Sequence, residues 1–149
     1  MKKFIFAICL CSLAVQAFAA ESPWTTSVPD AEKQAQKEHK LVLLDFTGSD
    51  WCPPCRELET ETFSKSEFLN YAKTNLVLVQ VDFPANKPQT KALKDANDQL
   101  QMTYKVDGYP TIIVLKPDGH VLWQNVGFIS GGPKALIEMI EAARAKEKI

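Results

Sequence analysis

Cys52 and Cys55 stand three positions apart in Trp51-Cys52-Pro53-Pro54-Cys55, and such a pair can do chemistry that needs little else. One thiol can attack a disulfide and the other can resolve the resulting mixed disulfide, a two-electron exchange. The pair follows an apolar run, Leu41-Val42-Leu43-Leu44-Asp45-Phe46, and opens a segment of helical composition, Arg56-Glu57-Leu58-Glu59-Thr60-Glu61. Cys52 is therefore expected to cap a helix, exposed, with Cys55 one turn in and covered; at such a cap, unpaired N–H groups and the helix dipole favour a thiolate. Pro53 and Pro54 carry no N–H, so that support is thinner than at an ordinary helix start. Asp50 adds a negative charge nearby and pushes the same way. Both features favour a reductant over a strong oxidant, whose reduced form is stabilised. The plain alternative is a buried structural cysteine pair.

Asp45 interrupts an apolar run. A carboxyl buried there has a raised pKa and can take the proton from Cys55 as that thiol resolves the mixed disulfide. The competing reading is a strand-end Asp that only hydrogen-bonds backbone. Trp51 and Tyr109 each fit two roles, substrate contact or packing. Phe63, Phe68 and Tyr71 fall on a helical stripe that reads as core, and Trp123 and Phe128 read as packing. His39 and His120 read as surface residues, and Lys87, Lys91 and Lys94 as a solvated helix face or a docking surface for an acidic partner.

The elements that must position these groups are legible in outline. Ser27-Val28-Pro29-Asp30 predicts a helix entry with Ser27 as cap and a helix over Ala31–His39. Leu41–Phe46, Leu76–Asp82 and Thr111–Leu115 predict strands, the first buried on both faces. A helix is expected from Cys52 to about Phe63. The Ser64-Lys65-Ser66-Glu67 capping-box pattern predicts another over Glu67–Lys73. Gln89–Tyr104 has helical composition, with Leu93, Leu100 and Met102 as buried positions. Lys116-Pro117-Asp118-Gly119 predicts a tight turn into a strand over Val121–Val126. A closing helix follows Gly131-Gly132-Pro133, with Leu136, Ile137, Met139 and Ile140 inward. This order predicts an α/β sandwich with helices on both faces of one sheet.

Residues 1–19 have the pattern of an export signal. Lys2 and Lys3 start it, Phe4–Val15 is an apolar stretch too short to span a bilayer, and Ala17-Phe18-Ala19 offers a cleavage site. Removal leaves 130 residues, enough for one domain over 20–149, and a formal charge of −3 instead of −1. Cys9 and Cys11 leave with the signal, which excludes a structural disulfide framework. No third ligand lies near the cysteines to make a metal site, and Arg56 after Cys55 breaks the c-type haem signature. No basic stripe suggests nucleic acid, and no further apolar segment suggests a membrane.

Three signals together resemble the thioredoxin superfamily over about Leu41 to Ala143. They are Asp45-Phe46 followed by the Trp-Cys-Pro-Pro-Cys motif, the segment Tyr104-Lys105-Val106-Asp107-Gly108-Tyr109-Pro110-Thr111, and the strand–turn–strand order that follows it. Within that superfamily the chain is most similar to periplasmic thioredoxin-like reductases of the DsbH and DsbD C-terminal-domain types. The resemblance implies a thioredoxin-like three-layer sandwich with a central mixed sheet. It implies Cys52 as attacking thiol and Cys55 as resolving thiol of a redox-active disulfide. Asp45 becomes the buried acid, and Pro110 a cis-proline that leaves the Tyr109 backbone free for an extended substrate. No cofactor and no metal are implied. The implied partners are disulfide-bonded exported proteins and a membrane electron donor of the DsbD type, met by a periplasmic monomer. The expected activity is protein-disulfide reduction. The alternatives are an oxidase or isomerase on the same fold, or a thiol-based metal-binding module. Three departures stand out: Leu78 where cytosolic thioredoxins carry a lysine, about a dozen extra residues between Asp82 and Pro110, and Pro53 in place of glycine. One extra residue also separates Asp45 from the cysteines.

Overall fold

The computed structural model describes residues 22–147, so the expected signal over 1–19 lies outside the described residues. Strand β1 (Trp24–Thr25) leads into α1 (Val28–Glu38), then β2 (Leu41–Thr47), α2 (Pro53–Leu58), a π-helical turn (Glu59–Phe63) and α3 (Ser66–Asn75). β3 (Leu76–Asp82), α4 (Lys91–Tyr104), β4 (Thr111–Leu115), β5 (Val121–Val126) and α5 (Gly132–Glu147) complete the order. The strands form one mixed sheet, β1-β3-β2-β4-β5. β2 runs parallel to β3 and antiparallel to β4, and β5 closes the hairpin expected after Lys116-Pro117-Asp118-Gly119. The predicted α/β three-layer architecture is the one observed.

Alternation along the central strands builds both cores. Leu41 and Leu43 of β2, with Leu76 and Leu78 of β3, face α2, α3 and α5 through Leu58, Phe68, Leu136 and Ile140. Val42, Leu44 and Phe46 face the other way, onto Val28, Ala31 and Ala35 of α1 and toward Leu100 and Tyr104 of α4. Every residue of β2 is buried, as an apolar run without polar alternation demands. Ser27 caps α1 as expected, its side chain accepting from the Asp30 N–H.

Several local expectations are corrected. The helix after Cys52 does not run to Phe63 as an α-helix. It widens at Glu59 into a π-turn closed by Ser64 N–H donating to Glu59 O at 2.9 Å, and that turn delivers Phe63 to the core beside Trp24 and Phe68. The capping box at Ser64 does not form. Lys65 holds the cap position of α3 without a side-chain bond, and the Ser64 hydroxyl donates to Thr60 O at 3.1 Å instead. Met102 is 65% exposed and Met139 40% exposed, not inward. Composition marked them as apolar, but each lies off the helix stripe that faces the sheet. In α4 that stripe is completed by Asn97, which is buried.

Phe68 is fully buried against Phe63, ring centroids 5.1 Å apart. Phe68→Ala is expected to cost about 3–5 kcal/mol of stability, read as a lower urea midpoint at unchanged slope.

Candidate active site

β2 ends at Thr47, and the chain turns at once into α2. Cys52 N–H donates to Gly48 O at 2.9 Å and Trp51 N–H to the same carbonyl at 3.2 Å. Gly48 is required because the Trp51 indole lies over it. A Cβ there would sit 2.7 Å from Nε1, well inside contact distance. The turn leaves Cys52 as the N-cap of α2, with extended backbone and Pro53 and Pro54 in the first turn. Its Sγ accepts from the Cys55 N–H at 3.3 Å. The two sulfurs are joined as a disulfide, S–S 2.07 Å.

Cys52 was expected to be exposed and Cys55 covered. In the disulfide both are buried, at 3% and 4%. The cap geometry explains this, because it folds the Cys52 side chain back over the helix start toward Cys55 rather than outward.

Asp45 lies on the α2 face of β2, buried among the strand residues. Its Oδ1 has no hydrogen-bond partner among the described residues. Desolvation pushes its carboxyl up to about 8, with smaller contributions from Glu59 and Asp82. Asp45, Cys55, Glu59, Thr60 and Gln80 share one cavity of about 250 Å³. The carboxyl and the inner cysteine therefore line the same space. The strand-end reading of Asp45 does not describe this geometry.

Two residues here were not anticipated. Glu59 stands four positions after Cys55 on the same helical segment, and partial burial holds its carboxyl above the usual range. The i+4 spacing was the available signal. Gln80, not Leu78, is the β3 residue opposite Asp45; Leu78 pairs with Leu43. The position expected to bear a lysine near the acid is thus two residues further along, and it carries a neutral amide that cannot stabilise a carboxylate by charge.

The other side of the cysteines is aromatic. Tyr109–Pro110 is a cis peptide bond, as the resemblance implied. Pro110 O accepts from the Gly127 N–H at 2.7 Å. Trp51 is 45% exposed, its ring edge-on to Tyr109 at 5.7 Å. Tyr109 in turn meets Phe83 at 5.3 Å. The packing role of Trp51 and Tyr109 is therefore real, while an open face of Trp51 remains. Asp50, expected to set its charge against a Cys52 thiolate, instead directs its carboxylate to the 83–87 loop, where it accepts from the N–H groups of Ala85, Asn86 and Lys87. Lys91 pairs with Asp95 and Lys94 with Asp98, so these lysines form a compensated helix face. Among the described residues no three His, Cys, Asp or Glu side chains cluster as a metal site would need.

A CxxC disulfide capping a helix, a buried acid beneath it and a cis-proline beside it define a thiol–disulfide oxidoreductase on a thioredoxin-type sheet. The chain belongs to the thioredoxin-like domain family, whose pattern matches residues 28–144. It is 34% identical over 125 residues to the disulfide bond reductase DsbH of Chlamydia pneumoniae, spanning 84% of this chain and 74% of that protein. It is 33% identical over 100 residues to the thiol:disulfide interchange protein DsbD of Actinobacillus pleuropneumoniae, spanning 66% of this chain but only 16% of that much longer protein. Among solved structures, a DsbH oxidoreductase superposes with a TM-score of 0.75 at 32% identity, covering 80% of this chain and 82% of that one. The reduced C-terminal domain of Neisseria meningitidis DsbD superposes at 0.60 with 30% identity, covering 78% and 93%.

The raised Asp45 pKa has a stability consequence of definite sign. The folded state holds this proton up to about pH 8, whereas an unfolded Asp releases it near 3.8. The folded state therefore binds more protons across that window, and stability falls as pH rises from about 4 to about 8. The limit is a loss of roughly 5 kcal/mol. Asp45→Asn removes the slope. Any cost of burying the amide is the same at every pH, so urea midpoints of the oxidised proteins should diverge in favour of the variant with rising pH and level off above about 8. Parallel curves would show that the carboxyl ionises normally.

Proposed function

We propose that the protein is an exported protein-disulfide reductase working in the periplasm. One observation carries the direction. Among the described residues the Cys52 sulfur receives a single hydrogen bond, from the Cys55 N–H, because Pro53 and Pro54 have none to give. Burial of the sulfurs, like the burial that keeps the Asp45 carboxyl protonated, also disfavours a negative charge at the thiols. A poorly stabilised thiolate makes the reduced form the better electron donor. Export is supported by the basic, apolar and small-residue pattern of residues 1–19, and the DsbH and DsbD relatives are named for disulfide reduction and interchange.

In the proposed cycle the Cys52 thiolate attacks one sulfur of a substrate disulfide. A mixed disulfide forms and the first substrate thiolate leaves. Cys55 loses its proton to the Asp45 carboxylate and attacks the Cys52 sulfur. The second substrate thiolate leaves, and the Cys52–Cys55 disulfide remains. Two electrons have passed to the substrate. A carboxylate whose conjugate acid is raised to about 8 is a far stronger base than an ordinary aspartate, which suits it to take a thiol proton. Trp51, Tyr109 and Pro110 are the proposed substrate-contacting residues, and a DsbD-type membrane protein the proposed donor that returns two electrons to the disulfide. Asp45→Asn should slow release from the mixed disulfide and leave the first attack by Cys52 largely intact.

The potential tests the direction. Equilibration of the purified domain against thiol–disulfide redox buffers should give a value on the thioredoxin side, roughly −270 mV, rather than near the oxidase value of about −120 mV. Cys55→Ser should accumulate mixed disulfides with exported proteins, because attack proceeds and resolution does not. A potential at the oxidase end, or a pair found oxidised in intact cells after alkylation trapping, would replace reductase with oxidase.

A further inference from the structure

Two departures from the thioredoxin pattern meet in space. One is the extra residue between Asp45 and the cysteines; the other is the longer segment after Asp82. Thr47 and Asp82 are opposite each other in the parallel β2–β3 pair, so the loops that leave these strands start side by side. They are bound reciprocally. Ser49 donates its N–H and its hydroxyl to the two carboxylate oxygens of Asp82, at 2.9 and 2.6 Å. Asp50 accepts from Ala85 N–H at 2.9 Å on Oδ1, and from Asn86 and Lys87 N–H at 2.7 and 3.2 Å on Oδ2. The Trp51 indole N–H donates to Phe83 O at 2.7 Å, and Phe83 N–H returns to Thr47 O at 2.9 Å. Lys87 Nζ closes the set on Ser49 Oγ at 3.1 Å.

We propose that Asp50 is a positioning residue for substrate selection: it latches the 83–87 loop onto the active-site loop and so holds the Trp51–Phe83–Tyr109 wall beside the dithiol. This rests on the thiol–disulfide reading of the site. A carboxylate serving three consecutive backbone N–H groups is a strong organiser of a short loop, since each bond is charge-assisted. Those three bonds also hold the Asp50 carboxyl below its usual range. Nothing in this arrangement touches the sulfurs. A small disulfide needs only access to Cys52. A protein disulfide brings two chain segments with it, and one running past Tyr109 and Pro110 must lie against the aromatic wall. The selected substrate is thus a polypeptide with an apolar stretch next to its disulfide, and the latch acts through the wall on binding rather than through the thiols on rate.

Asp50→Ala removes all three acceptors. Asp50→Asn keeps the shape but turns an N–H₂ toward backbone donors, so it tests the same latch if the alanine variant folds poorly. Hydrogen exchange at the amides of Ala85, Asn86 and Lys87 should accelerate by about tenfold or more. The Trp51 indole N–H resonance, assigned through Trp51→Phe, should shift and exchange faster. KM for a protein disulfide such as insulin should rise about tenfold at nearly unchanged kcat, while kcat/KM for a small aromatic disulfide changes less than about threefold. The active-site potential should not move. Exchange is followed in both directions, so a protein that oxidises rather than reduces still yields the same selectivity ratio, and failure of the reductase reading shows separately in the wild type. Unchanged protection at 85–87, or equal losses on the protein and the small disulfide, would overturn the proposal.

Discussion

The site depends on the burial of β2. It is paired on both edges and covered on both faces, so the side chains that alternate along it are almost wholly withdrawn from solvent. Six of its seven residues suit that environment, but Asp45 does not. Placed on the α2 face by the same alternation that points Leu41 and Leu43 into the core, it must either find donors or keep its proton. Its Oδ1 finds none among the described residues, and the proton stays to about pH 8. The strand thus carries a stability cost in the form of a perturbed carboxyl, placed in the cavity that Cys55 also lines.

The cysteines sit where the strand stops because a helix must begin there. The turn at Gly48 reverses the chain in a few residues, and Cys52 takes the cap position that a Ser or Asp would hold elsewhere. An ordinary cap would offer its sulfur several backbone donors. Here two prolines suit the φ angles of the first turn and withhold their N–H groups. The helix start is therefore well formed as structure and poor as an anion site. That combination is what the proposed reductase direction rests on.

Much of this was legible in the chain. Long apolar runs marked β2, β3 and β4 because strands buried on both faces leave no other composition possible, and Ser27, Pro29 and the Lys116–Gly119 turn acted through local chemistry that tertiary packing had no reason to override. What escaped depended on registration. Gln80 rather than Leu78 faces Asp45 because parallel pairing aligns Leu41 with Leu76, an offset no single strand carries. Glu59 reaches the cavity from a helix that widens into a π-turn, which a 3.6-residue period does not describe. Ser64 had two hydrogen-bonding options, and the carbonyl of Thr60 outcompeted the cap. Met102 and Met139 were assigned inward from composition, whereas Asn97 holds the buried place because it donates to Asp82 O at 2.9 Å. The exposure expected for Cys52 failed for a related reason, since cap geometry rather than sequence position directs its sulfur.

Parallel strands place their carboxyl ends together, and loops leaving those ends build the working surface of an α/β sheet. In this chain that rule joins features that look unrelated in sequence. The residue inserted before the cysteines and the segment inserted after Asp82 emerge at Thr47 and Asp82, neighbours in one register. Each loop would carry unpaired backbone donors alone. Asp50 and Asp82 each satisfy the donors of the other loop. Neither carboxylate needs to enter the redox chemistry for this to matter, because the Trp51 ring can be held against Phe83 and Tyr109 only if both loops keep their place. The sheet thus places the Asp45 carboxyl in the cavity beneath the dithiol, while the paired loops hold the aromatic wall on its other side.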